Sequence, residues 1–249
     1  MGYRKRYAWI AVALSLLVAN PLTAQFTTRL SPQTEADYND YLRRAESGMD
    51  WQARMEVPAD RSIAFAPGNG TGTIDVSRGI IHDWVAAAVA PGASMEQVLG
   101  VFQDYGAYKT RFFPNVQDSK LLSREGNHWH VYMRLYKKKI LSVLLDTEHD
   151  VEYRPLSGGR WAIVSPTVKI AEVEDGKQLP PGAGHGFLWR LNSYWLLEPR
   201  PGGVYLECRA ISMSRDVPPG LGWAVKPMLT TVPKESLGET LRDTLRALR

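Results

Sequence analysis

Cysteine is almost absent from this chain of 249 residues, since Cys208 is the only one. A single cysteine excludes an intramolecular disulfide, and its apolar surroundings (GGVYLECRA) favour a buried small side chain over a reactive thiol. The sequence also lacks the GxSxG and HExxH motifs of serine hydrolases and zinc proteases. The glycine-rich stretch at 68–72 lacks the lysine of a phosphate-binding loop, so it predicts a flexible turn.

Long hydrophobic runs are scarce as well. The uncharged stretch AWIAVALSLLVA at 8–19 is shorter than the ~20 residues that a membrane-spanning helix needs. It follows Arg4, Lys5 and Arg6 and precedes a helix-breaking Asn-Pro pair and the small residue Ala24, an order typical of secretory signal peptides. We therefore predict a signal peptide at 1–24, cleavage after Ala24, and an exported protein that is periplasmic or secreted. The alternative is an uncleaved membrane anchor.

The exported protein has little net charge. Cleavage removes three of the 30 Lys and Arg and none of the 26 Asp and Glu, which leaves a net charge of +1. A nearly neutral chain argues against a nucleic-acid partner, which requires a concentrated basic surface. The hydrophobic fraction of 44% is typical of a globular domain that buries one core.

The chain divides into two regions after the signal peptide. Residues 25–74 form an N-terminal extension with one predicted helix, because Ser31 can cap a helix whose first position is Pro32. Backbone from about Met55 to Ser77 is expected to be irregular. Residues 75–249 form the main domain, which opens with the strand-like run GIIHDWVAAAVA and a helix capped by Ser94.

Strands dominate the middle of that domain, and a helix ends it. Turn-forming residues separate six predicted strands, at 116–123, 128–137, 140–153, 161–172, 188–198 and 204–213. Helical sequence follows from about Gly220 to Arg249, with a break or kink at Pro233. Four leucines at 237, 241, 245 and 248 form one continuous apolar stripe along it.

This element order resembles the START-like (SRPBCC, polyketide cyclase/lipid-transport) superfamily over residues 80–248. The stretches FQDYGAYKTRFFPNV, LLDTEHDVEY and GFLWRLNSYWLLEPRPGGVYLE carry the resemblance, and the last is the most specific. More narrowly, the sequence is similar to a group of uncharacterised exported bacterial members. The resemblance implies an α+β helix-grip fold, in which an antiparallel sheet wraps around a long C-terminal helix and leaves an apolar cavity. Members bind lipids, sterols, hormones or quinones, and some catalyse cyclisation or dehydration.

Strand alternation predicts which side chains face that cavity. Each of four strands has one apolar face, and Thr147, His149 and Ser193 are the polar exceptions on it. Trp189 is assigned to the same inner face, whereas Arg190, Glu207 and Arg209 are assigned to an exposed charge ladder. The predicted ligand-binding residues are Trp129, Met133, Leu145, Thr147, His149, Trp161, Ser193, Trp195, Cys208 and Trp223. The alternative is that these side chains pack against the C-terminal helix and leave no cavity.

Three functions are compatible with the sequence. The first is binding or carriage of a hydrophobic small molecule outside the cytoplasm, without catalysis, cofactor or metal. The second is a cyclase- or dehydratase-type enzyme that uses His149. The third is an envelope interaction module that uses the N-terminal extension or the exposed strand face. Lys137, Lys138 and Lys139 at a predicted hairpin tip are also candidates for contact with an anionic membrane surface.

Overall fold

The computed structural model of the protein describes residues 27–58, 62–139, 142–217, 220 and 229–249. The predicted signal peptide at 1–24 and the predicted ligand-binding residue Trp223 lie outside these ranges. Within them, no helix combines the length and the hydropathy that a membrane span requires.

An antiparallel sheet forms most of the molecule. The strands are β1 Thr28–Arg29, β2 Ala64–Pro67, β3 Thr73–Val76, β4 Gly79–Pro91, β5 Val116–Glu125, β6 His128–Lys138, β7 Ser142–Pro155, β8 Trp161–Glu174, β9 Lys177–Gln178, β10 Ala183–Gly184, β11 Arg190–Arg200 and β12 Gly203–Arg215. The central strands of the sheet follow the order β2-β4-β12-β11-β8-β7-β6-β5. Two shorter strands join it, β3 beside β4 and β9 beside β8, and β1 pairs with β10 apart from the sheet.

Four α-helices accompany the sheet in the described ranges: α1 Pro32–Ser47, α2 Met95–Gln103, α3 Tyr108–Arg111 and α4 Val232–Ala247. Single 3₁₀ turns lie at Tyr105–Ala107 and Ser157–Gly159. Ser31 caps α1 as predicted, since its side chain accepts a hydrogen bond from the Thr34 amide at 3.1 Å. Ser94 and Gln97 form a reciprocal capping box at the start of α2. Pro233 lies in the first turn of α4, where a proline costs no hydrogen bond.

Helix α4 packs on the inner, concave face of the sheet, so the predicted helix-grip fold is confirmed. Leu237 and Leu241 are buried, and Leu245 and Leu248 pack against the same core, as their spacing predicts. The small side chains of Ala86, Ala88 and Ala90 on β4 belong to this core. Their size brings the helix close to this side of the sheet.

Helix α1 covers the outer face of β4, β11 and β12, which corrects one prediction about that face. Glu207 and Arg209 are buried, at 6% and 9% exposure, and not part of an exposed ladder. Arg190 is half-buried and pairs with Glu35 of α1. Trp189 packs in this outer layer with Tyr38, and not on the inner face, because it precedes the regular alternation of β11. The N-terminal extension therefore supplies the second layer over half of the sheet.

Between α1 and the strands that it covers, buried polar and charged groups are hydrogen-bonded to one another. Tyr38 donates to the Ile211 carbonyl at 2.9 Å, and Tyr41 donates to Asp83 Oδ2 at 2.5 Å. Arg209 donates Nε to Asp83 Oδ1 at 2.9 Å and Nη2 to Asp83 Oδ2 at 2.6 Å. Asp83 is fully buried, so this fork of donors compensates a carboxylate that has left water.

Two short strands correct the expectation of irregular backbone between Met55 and Ser77. β2 and β3 both pair antiparallel with β4 and extend the sheet at that edge. The glycines around them concealed the strands, because such residues are typical of loops. Gly72 is one of them, with a φ of +83° and no room for a Cβ atom beside the Trp84 ring.

Candidate ligand-binding cavity

A cavity of about 330 Å³ lies between the inner face of the sheet, the α2–α3 region and α4. Its wall is mostly aromatic and aliphatic, with Phe102 and Phe112 on one side and Leu237 of α4 on another. An engineered apolar cavity of about 150 Å³ is enough to take up benzene. The cavity therefore has room for a ligand about twice that size, and the alternative of a fully packed inner face is wrong.

Six of the ten predicted ligand-binding residues line this cavity: Met133, Leu145, His149, Ser193, Trp195 and Cys208. Trp129 does not, because it packs into the core against Tyr105 and Tyr153, with ring centroids 5.9 and 5.2 Å away. Trp161 packs against the same core, and Thr147 is buried behind the wall. Alternation identified the face correctly but did not show how far along each strand the core extends.

His149 lies at the end of a hydrogen-bond chain that determines its tautomer. Thr147 donates its hydroxyl proton to the Met133 carbonyl at 2.9 Å. Its oxygen can then only accept, so His149 Nε2, at 3.0 Å, is the donor. Burial lowers the pKa of His149 to about 4, which keeps the ring neutral near pH 7 and leaves Nδ1 as an acceptor. Ser165 Oγ lies 3.4 Å from Nδ1.

A polar row runs from His149 across the neighbouring strands in the apolar wall. Ser165 on β8 and Ser193 on β11 are directly opposite each other in the register, and both are half-buried in the cavity lining. Ala210 follows on β12 and Trp84 on β4. The Ser193 hydroxyl and the buried Trp84 Nε1–H have no hydrogen-bond partner within the described part of the chain.

Next to this row, the cavity ends against the core. Ile163, Trp195 and Cys208 lie two residues further along β8, β11 and β12 and belong to the core as well as to the lining. Tyr105, which lines the cavity beside them, donates to the Tyr153 hydroxyl at 2.9 Å, and Tyr153 donates to the Phe102 carbonyl at 2.8 Å. Both hydroxyl protons are therefore already used in hydrogen bonds within the protein.

The charged side chains in the lining lie along α4 and the β6 end and are paired. Lys137 pairs with Glu239 of α4, and Asp243 Oδ1 accepts from Arg246 at 2.7 Å. Lys139 beside the cavity pairs with Glu235. The predicted membrane contact through Lys137, Lys138 and Lys139 is therefore not supported, because two of the three ammonium groups bind the C-terminal helix.

Sequence reasoning missed Ser165 and Trp84. Period-two alternation from Trp161 and Ile163 places Ser165 on the inner face, and alternation from Ala86 does the same for Trp84. Both strands are predicted from the sequence, but inner and outer faces are assigned only for the four strands β6, β7, β11 and β12. Phe102 and Phe112 carry no such signal, because only the tertiary fold brings the α2–α3 region over the sheet.

The geometry gives His149 little of what a catalytic base requires. Its Nε2 proton is directed at Thr147, and its depressed pKa makes it a weak base at neutral pH. Ser193, another of the polar residues predicted on this face, makes no hydrogen bond to it in the described residues. What the arrangement offers chemically is a set of neutral hydrogen-bonding groups in an apolar pocket.

Outside the cavity, one group of three potential metal ligands lies in the described ranges: Glu172, Glu174 and His185. The buried Glu172 carboxylate accepts from the His185 and Gly186 amides at 2.7 and 2.8 Å, and from His185 Nδ1 at 3.0 Å. The side-chain hydrogen bond to Glu172 raises the pKa of His185. The hydrogen bonds of Glu172 connect β8 to the segment that precedes β11.

Comparison with known proteins found likeness at the level of structure only. No family model and no curated sequence matches the chain. The STAR-related lipid transfer protein (fragment 25–204) from Xanthomonas axonopodis is 18% identical, with a TM-score of 0.47 over 72% of this chain and 97% of that one. The human StarD13 lipid transfer and protein localization domain is 13% identical, with a TM-score of 0.49 over 89% and 99%. The Zhui aromatase/cyclase from Streptomyces sp. R1128 is 13% identical, with a TM-score of 0.46 over 67% and 93%. Because these likenesses are weak, the fold assignment rests on the strand order and on α4.

Proposed function

We propose that this chain, which has the START-like helix-grip fold, binds and carries a hydrophobic small molecule outside the cytoplasm. The cavity of about 330 Å³ with its mainly apolar wall carries the proposal. The signal-like order of residues 1–24 is the support for export. A cavity of this kind and size is within the range in which proteins bind small molecules.

The expected affinity comes from apolar contact. Burial of a methylene group contributes ~0.8 kcal/mol, so a chain of about twelve carbons gains about 10 kcal/mol. Association costs roughly 4–15 kcal/mol, so such a ligand binds usefully only if it buries most of its apolar surface. The enclosure of the cavity by sheet and helix meets that condition.

The first test is mass spectrometry of an organic extract from protein purified out of the exported fraction of its own cells. We expect a lipid-like compound in near-stoichiometric amount. Recovery of the protein from the cytoplasm, with residues 1–24 intact, would refute the proposed location.

A cavity-filling substitution tests the binding site itself. Ala210→Phe places an aromatic ring in the lining, whereas Ala210→Val at the same position leaves most of the space. Uptake of a neutral fluorescent probe such as Nile red should be lost in the first variant and retained in the second, with equal circular dichroism. Probe binding that is equal in both, or absent from the unmodified protein, would refute a ligand-binding cavity.

A further inference from the structure

The polar row contains hydrogen-bonding groups that the protein itself does not use. The Ser193 hydroxyl has no partner among the described residues, and neither has the buried Trp84 Nε1–H. Both residues line the cavity, and only the small side chain of Ala210 separates them in the register. A buried polar group normally has a partner, so the unpaired Trp84 Nε1–H, together with the unused Ser193 hydroxyl near it, indicates a ligand with a polar atom at this depth.

The chemistry of that polar atom follows from the direction of each hydrogen bond. His149 Nδ1 is an acceptor, and the Ser165 hydroxyl, its only partner in the described part of the chain, is 3.4 Å away, at the long limit of a hydrogen bond. Ser193 lies opposite Ser165 and is free to donate. A group that donates one proton to His149 Nδ1 and accepts from the Ser165 and Ser193 hydroxyls satisfies all three. A hydroxyl group has this property, whereas a carbonyl or an ether can only accept.

The surroundings exclude a charged head group. The lining residues Lys137 and Glu239 neutralise each other, and Lys137 is six residues along β6 from Val131, the register partner of His149. That separation corresponds to roughly 20 Å. Lys234 lies over the Trp84 ring at 4.9 Å but does not line the cavity. A carboxylate or phosphate at the polar row would therefore be buried without a cation, which is strongly unfavourable.

We infer that the cavity selects an uncharged amphiphile whose hydroxyl group binds at His149, Ser165 and Ser193, with its apolar body along Leu145, away from the core end at Trp195. The inference rests on the proposed function, since it names the class of ligand for the same cavity. Long-chain alcohols and hydroxylated ring lipids belong to this class, and fatty acids and phospholipids do not.

A series of twelve-carbon competitors tests the inference through displacement of Nile red from the full-length exported protein. The series is 1-dodecanol, its methyl ether and dodecanoate at pH 7.5. We expect the alcohol to bind about five- to tenfold more tightly than the ether, as one or two neutral hydrogen bonds allow, and more tightly than the carboxylate. Ser193→Ala should weaken the alcohol and the ether by a similar factor, because both oxygens accept from Ser193, whereas the preference for the alcohol, which depends on donation to His149, should remain.

Ser193→Ala is a clean variant, because the serine hydroxyl has no partner in the described chain that its removal would leave unsatisfied. Ser123→Ala, at an exposed serine on β5, is the matched control and should change no affinity. Equal binding of alcohol and ether, or tighter binding of dodecanoate, would overturn the hydroxyl assignment while the carrier function stands. Failure of Nile red and of all three competitors to bind would overturn both.

Discussion

The buried pair of Asp83 and Arg209 gives the sharpest test of how α1 is held on the sheet. Arg209→Met keeps most of the side-chain volume but removes both guanidinium hydrogen bonds, at 2.9 and 2.6 Å. Among the described residues, Asp83, with 0% exposure, then keeps only the hydroxyl of Tyr41 as a donor side chain. Leaving one buried charge of such a pair uncompensated costs about 3–5 kcal/mol, so we expect a loss of that size in the free energy of unfolding.

The double variant Asp83→Asn/Arg209→Met tests whether the loss of stability comes from the uncompensated charge of Asp83. Asparagine is neutral and still accepts from Tyr41, so the double variant should be more stable than Arg209→Met by about 2 kcal/mol. Urea unfolding followed by the fluorescence of the tryptophans, at pH 7, compares Asp83→Asn, Arg209→Met and the double variant with the unmodified protein. A loss below about 1 kcal/mol for Arg209→Met, or a double variant as unstable as the two single losses added, would refute the reasoning.

Other predictions concern the core, the caps and pH. Leu241→Ala should lower the free energy of unfolding by about 2–5 kcal/mol, because removal of a fully buried side chain of α4 leaves a cavity. The urea midpoint should fall accordingly, and an unchanged midpoint would mean that α4 does not pack as described. Ser94→Ala should lower the free energy of unfolding by about 1 kcal/mol, because it removes the N-cap of α2. Ser94→Asp is the control and should retain the stability, since aspartate also caps helices. Tyr38→Phe should cost about 1–2 kcal/mol and increase amide hydrogen exchange in α1, through the lost bond to the Ile211 carbonyl. The pKa of His149 is about 4 when folded and near 6.5 when unfolded, so the unfolded chain binds the proton first and stability falls as the pH drops from 6.5 to 4. Its contribution is on the order of 3 kcal/mol, and His149→Gln should make that part of the stability profile shallower. The slope from His82, whose pKa burial also lowers to about 4, should remain, and an unchanged profile would contradict a neutral His149.

The strands were predictable because their apolar residues alternate with period two and glycine or proline separates them. β6 and β11 show this directly, since the predicted starts and ends lie within two residues of the observed ones. The inner face was predictable for the same reason, and Leu145, His149 and Ser193 line the cavity accordingly.

The outer layer was not predictable from those patterns. Glu207 and Arg209 have the composition of a solvated strand face, and nothing near them in sequence indicates that α1 and the segment after it cover them. Their partners, the Arg54 amide and Asp83, are more than 120 residues away along the chain. Long-range pairing of this kind depends on topology and not on local preference.

Three strands of the sheet, β4, β11 and β12, are packed on both faces, by α1 outside and by the core and α4 inside. Movement of this half would break buried hydrogen bonds such as those of Asp83, so it acts as a stiff wall. On the other half, the outer side chains of β6 and β7 reach solvent, and the β6–β7 hairpin meets α4 through the partly exposed pairs of Lys137 and Lys139. Salt screens such pairs, so this contact between the hairpin and α4 should weaken, and exchange of a probe such as Nile red should become faster, as ionic strength rises.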